Sequence, residues 1–89
     1  MKIAVWDTYV KRQDGLIMHF DILVPSEMTN ETNIFNFGLD YLKSKPFKSG
    51  ELSSKECVFC HIEEATQPMI DGIKRKGYYI IEMENCNDT

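Results

Sequence analysis

Apolar and polar residues alternate along two stretches near the start of the chain. In the second stretch, Leu16, Met18, Phe20, Ile22 and Val24 share one parity, and Ile17, His19, Asp21 and Leu23 share the other. A period of two is the mark of a strand. The first stretch, residues 2–10, sets Ala4, Trp6, Thr8 and Val10 against Ile3, Val5, Asp7 and Tyr9. The polar segment between them ends in Asp14-Gly15, a hairpin signal. Pro25 closes the second strand, because proline cannot donate to a ladder. The two stretches predict an antiparallel hairpin.

The period then lengthens. Thr29 or Asn30 can cap a helix that runs to about Ser44, with a stripe of Phe35, Gly38, Leu39 and Leu42 flanked by Ile34 and Tyr41. Pro46 stops it, and a loop surrounds Ser49-Gly50. Ser53 and Glu56 stand at capping-box spacing, which predicts a short helical turn carrying Cys57 and Cys60, then a brief strand from His61 to Ala65. Thr66 caps a last helix with Pro68 in its first turn and Met69, Ile70 and Ile73 facing inward. Gly77 falls where a left-handed residue ends a helix, and Tyr78 to Glu84 reads as the final strand. A helical crossover joins neighbouring strands in parallel. The expected fold is therefore α+β, a mixed four-stranded sheet with an N-terminal antiparallel hairpin, a later βαβ unit and helices mainly on one face.

Composition narrows the class. The 89 residues suit one domain, and 43% hydrophobic with 27% charged residues excludes a disordered chain. A net charge of −4 argues against nucleic acid and against anionic membranes, both of which call for a basic face. Lys74-Arg75-Lys76, the one basic run, reads as the solvated last turn of a helix. No signal-peptide pattern opens the chain, and no stretch has the length of a membrane span, so a cytoplasmic location is expected. Three cysteines, an odd number, suit a reducing compartment better than a disulfide scaffold.

Three segments carry a family resemblance: Met1-Lys-Ile-Ala-Val-Trp-Asp-Thr-Tyr-Val10, Ile17-Met-His-Phe-Asp-Ile-Leu-Val-Pro25 and Cys57-Val-Phe-Cys-His-Ile-Glu-Glu64. Together they resemble the bacterial domain-of-unknown-function family number twenty-twenty-four, over the chain from Met1 to about Glu84. The resemblance implies a small stand-alone α+β protein with no established activity, and it assigns no catalytic residues.

Two clusters could carry chemistry. Cys57-Val58-Phe59-Cys60-His61 matches the attachment motif of c-type haem, which needs export and an axial partner. Cys57 and Cys60 also have the spacing of a zinc half-site, with His61, Cys86 or His19 to complete it, or of a thiol-redox pair. Adjacent Cys60 and His61 diverge on any regular element, which is awkward for one metal. The plainer reading is cysteines packed beneath the sheet. The second cluster is Asp7, His19 and Asp21. One hairpin register sets Asp7 opposite His19; a shift of two sets Asp7 opposite Asp21 and Tyr9 opposite His19. Either register keeps all three on one face, as a polar pairing, a general base or a weak metal site. There is no phosphate loop and no hydrolase motif.

These features predict a small non-catalytic interaction or regulatory module without a cofactor. Zinc is the runner-up cofactor, and a metal-binding or thiol-redox protein built on Cys57, Cys60 and His61 is the alternative function. The odd-numbered hairpin face holds Ile3, Val5, Tyr9, Ile17 and Leu23 around the polar cluster, extended by Tyr78 and Ile80. With the long helices sharing the other face, a second copy of the chain is expected to cover it, leaving any other protein partner unnamed.

Overall fold

The computed structural model describes residues 1–48 and 57–87, so Ser49-Gly50 and the Ser53–Glu56 capping box lie outside the described residues. The elements run β1 (Lys2–Lys11), β2 (Ile17–Pro25), α1 (Glu31–Lys43), β3 (Cys57–Glu64), α2 (Gln67–Lys76) and β4 (Tyr79–Glu84). The α+β class, the four strands and the N-terminal hairpin all match the sequence pattern.

The hairpin turns at Gly15, whose φ of 93° lies in the left-handed region that only glycine occupies freely. The Asp14 side chain accepts from the Leu16 N–H at 3.1 Å and tightens the loop. Asn30 rather than Thr29 caps α1, its Oδ1 accepting from Thr32 N at 2.9 Å. The buried stripe of α1 is Ile34, Gly38 and Tyr41, one step round from the expected one, with Phe35, Leu39 and Leu42 half-buried beside it. Gly77 ends α2 at φ 91° and donates to Ile73 O at 2.7 Å.

The sheet order is β3-β1-β2-β4, and all three pairings are antiparallel. The sheet is therefore not mixed. The parallel rule holds for strands that become neighbours, whereas β3 and β4 occupy opposite edges with the whole hairpin between them. A ten-residue helix is about 15 Å long, and three inter-strand spacings come to about 14 Å. The ten residues of α2 thus have the length to carry the chain from one edge to the other across the sheet.

That crossing also corrects the placement of the helices, which lie on opposite faces. The even-numbered face, with Ala4, Trp6, Val10, Phe20 and Ile22, packs under α1 through Ile34 and Tyr41. The odd-numbered face packs Ile3, Val5 and Leu23 under α2 through Ile73 and Met69. Tyr79 and Ile81, not Tyr78 and Ile80, extend the odd face, because they pair with Leu23 and Asp21. The helix covers Ile3, Val5 and Leu23, while Tyr9 and Ile17 stay exposed on the same face.

The expected helical turn at Cys57 and Cys60 is strand from Cys57 onward. Its β-branched and aromatic residues, Val58, Phe59 and Ile62, favour that state. Its ladder with β1 slips once: Val5 faces His61 and Trp6 faces Phe59, so Cys60 is an extra residue in a bulge. Among the described residues, no helix is long and apolar enough to cross a membrane.

Candidate functional site

The half of the odd face that α2 leaves open carries the polar cluster, with Tyr9, Ile17 and Val58 exposed beside it. The hairpin adopts the register that sets Asp7 opposite Asp21 and Tyr9 opposite His19. His19 stacks on Tyr9, with ring centroids 4.1 Å apart and planes 11° from parallel. The stack holds the imidazole edge-on to both carboxylates. His19 Nε2 lies 3.5 Å from Asp21 Oδ1 and 3.8 Å from Asp7 Oδ1. Neither distance is a sound hydrogen bond. Both His19 Nε2 and Asp21 Oδ1 are nevertheless buried atoms without a hydrogen-bond partner.

Like charges facing each other across two strands are unfavourable. Burial, then the hydrogen bond and charge of Asp7, push Asp21 up from its ordinary 3.8 to about 6, with His19 and His61 opposing. Burial and the facing Asp7 therefore make Asp21 hold its proton more tightly than a free carboxyl does.

The bulge brings the second cluster to the same place. In a regular strand Cys60 and His61 would point to opposite faces. The extra residue turns both to the odd face, with His61 Nδ1 3.2 Å from Cys60 Sγ and His61 Nε2 3.5 Å from Glu63 Oε1. The Cys60 thiol is held above its ordinary range, by desolvation first and then by the Asp7 carboxylate, which is within hydrogen-bonding reach. Cys57 goes the other way: it faces Thr8, is buried in the core under α1, and does not meet Cys60. Cys86 is also buried there, its Sγ donating to His19 O at 3.2 Å. The Cys-x-x-Cys spacing thus produces no dithiol, while Cys60 and His61 join Asp7, His19 and Asp21. Sequence reasoning missed this convergence. Its only trace was a break in parity: Phe59 and Ile62 share the even face although they stand three positions apart.

Two cavities among the described residues lie elsewhere. One, of about 340 Å³, runs along the outer edge of β4 past Asp40, Tyr78 and Arg75. Tyr78 donates there to Asp40 at 2.5 Å, and Tyr41 and Lys45 both bond Glu82. The other, of about 270 Å³, is an apolar hollow beside Trp6, Met28 and Phe59 on the even face. The polar cluster is a shallow surface of converging ligand atoms, in contrast to the concave apolar pockets that usually take organic ligands.

The chain is similar over nearly its whole length to a solved structure, the NMR structure of protein NE1680 from Nitrosomonas europaea, a structural-genomics target. The two share 40% sequence identity with a TM-score of 0.83, covering 98% of this chain and 100% of that one. No curated protein matches the chain. The model of the family described as Domain of unknown function (DUF2024) matches residues 1–83. Nearly every element described above falls inside that match, and the chain belongs to the DUF2024 family.

Proposed function

We propose that the protein is a small non-catalytic binding module whose ligand is a divalent metal cation held by Asp7, His19 and Asp21. One observation carries this reading. One ligand atom from each residue can be chosen so that all three lie within 4.8 Å of one another. The imidazole nitrogen stands 3.5 and 3.8 Å from the two carboxylates. Those separations are too long for hydrogen bonds. They suit two ligands of one ion, since tetrahedral donors about 2.1 Å from a metal sit about 3.4 Å apart. The unpartnered buried atoms Nε2 and Oδ1 gain a partner in the cation, and the facing carboxylates gain a counter-charge. An imidazole beside two carboxylates suits borderline first-row cations better than calcium or magnesium, which take all-oxygen sites.

The reading moves the metal away from the cysteine pair, because Cys57 is committed to the core. It favours binding over catalysis because, among the described residues, Asp7, His19 and Asp21 line neither of the two cavities described above. The test is thermal unfolding of metal-free protein with added Zn²⁺, Co²⁺, Mn²⁺, Mg²⁺ or Ca²⁺. A cation at 100 times its Kd stabilises the native state by about 2.7 kcal/mol. Zn²⁺ or Co²⁺ raises Tm in the native chain, and the rise is lost in His19→Ala and Asp21→Asn. A Tm indifferent to all five cations overturns the proposal.

A further inference from the structure

We infer that Cys60 supplies a thiolate ligand to the cation held by Asp7, His19 and Asp21, which makes the site selective for thiolate-accepting ions such as Zn²⁺ and Co²⁺ over Mn²⁺ and Mg²⁺. The inference rests on the cation site proposed above and adds a fourth ligand and a metal class to it.

The bulge is the first ground. A β-bulge re-aims one side chain at the cost of a ladder position, and bulges concentrate beside functional sites. Here the extra residue is Cys60 itself, with no cross-strand partner on β1. Without the slip, Cys60 and His61 would lie on opposite faces. With it, Sγ stands beside Asp7, and His61 Nδ1 is 3.2 Å away. The second ground is the contrast among the three thiols. Cys57 and Cys86 are buried on the far side of the sheet, whereas Cys60 is exposed on the side of the polar cluster. The third is the count of ligands. Asp7, His19 and Asp21 supply three, and a closed tetrahedral site needs four. Cys60 is the cysteine within reach of Asp7, and a soft thiolate biases such a site toward zinc and cobalt.

On binding, the Sγ–metal bond forms as the Sγ–H bond breaks, and the proton leaves to solvent past the Asp7 carboxylate. No electron changes hands. His61 is placed to donate a hydrogen bond to the metal-bound sulfur, as partners outside the ligand shell commonly do for ligands.

The experiment is an anaerobic titration of the metal-free, fully reduced chain with Co²⁺, read in two regions of the absorption spectrum. Visible ligand-field bands report any bound cobalt. A near-ultraviolet thiolate-to-cobalt charge-transfer band reports sulfur ligation alone. The native chain is expected to show both. Cys60→Ser, a change at an exposed position, is expected to keep the visible bands, lose the charge-transfer band and bind at least about 10–100-fold more weakly, the loss that even an outer-shell partner brings. In a parallel measurement, Zn²⁺ is expected to slow alkylation of Cys60 in the native chain, and Mg²⁺ is not. Visible bands without charge transfer in the native chain would overturn the role of Cys60 and leave the three-residue site standing. Charge transfer that persists in Cys60→Ser would overturn it too. The absence of any cobalt spectrum would overturn both proposals.

Discussion

Replacing Asp21 by asparagine removes the one carboxyl whose burial and facing Asp7 raise its proton affinity, and the effect on stability has a definite sign. Folded Asp21 titrates at about 6 against an ordinary 3.8. Between those values the folded chain holds a proton that the unfolded chain has lost. Stability from this group is fully present below the unfolded value and is lost as pH rises through about 6. Each tenfold in affinity is worth about 1.4 kcal/mol, so the full shift corresponds to about 3 kcal/mol. That figure is a ceiling, because the carboxyl keeps some access to water and screening ions. A loss of about 1–2 kcal/mol is the working expectation. Asparagine keeps the shape and does not titrate. In urea titrations with chelator present, the stability of Asp21→Asn minus that of the native chain should therefore be smallest near about pH 4 and should grow by about 1–2 kcal/mol by about pH 7. A difference that stays flat or shrinks with rising pH would refute the account of Asp21 as a buried carboxyl in conflict with Asp7.

Three further outcomes follow from the packing. Alkylation of the native chain should modify Cys60 alone, with Cys57 and Cys86 reacting only on unfolding, as peptide mass spectrometry would show; early reaction of Cys57 would contradict its burial. Gly72→Ala should destabilise despite alanine's better helix propensity, because the added Cβ would lie 2.4 Å from Tyr79 Cδ1; a net loss of about 1–3 kcal/mol in denaturant titration is expected. Asn30→Ala should cost about 1 kcal/mol through the lost cap of α1, with no change in the cobalt spectrum.

The hairpin was legible because its two strands alternate cleanly and share a turn signal. The register that pairs Asp7 with Asp21 is one of the two that the turn and the alternation point to. The caps of both helices were legible for the same local reasons. What pattern reasoning missed was relational. Nothing in residues 57–64 states that they pair with β1 rather than beside β4, and that choice decides whether the sheet is mixed. The hydrophobicity of α2 locates its inner side without naming the sheet face that side meets. The bulge at Cys60 is a one-residue slip between strands that lie far apart in sequence. Strand in place of helix puts Cys57 and Cys60 on opposite faces, and the slip adds His61 to the face that carries Cys60.

The strand order β3-β1-β2-β4 bears on how the chain is made. Both central strands precede the edge strands in the chain, joined by a tight turn, and α1 follows to roof the even face. Until the C-terminal half arrives, this early unit is a two-stranded ribbon with both edges open and the apolar part of its odd face bare, which is marginal on its own. Closing each edge then requires contacts between distant parts of the sequence, such as Lys2 with Glu64, and such closures are slow. A chain that ended after α1 would keep its unpaired strands exposed to copies of itself and would aggregate rather than fold. The segment from β3 to β4, which also supplies Cys60, acts as the cover that closes both edges of the hairpin.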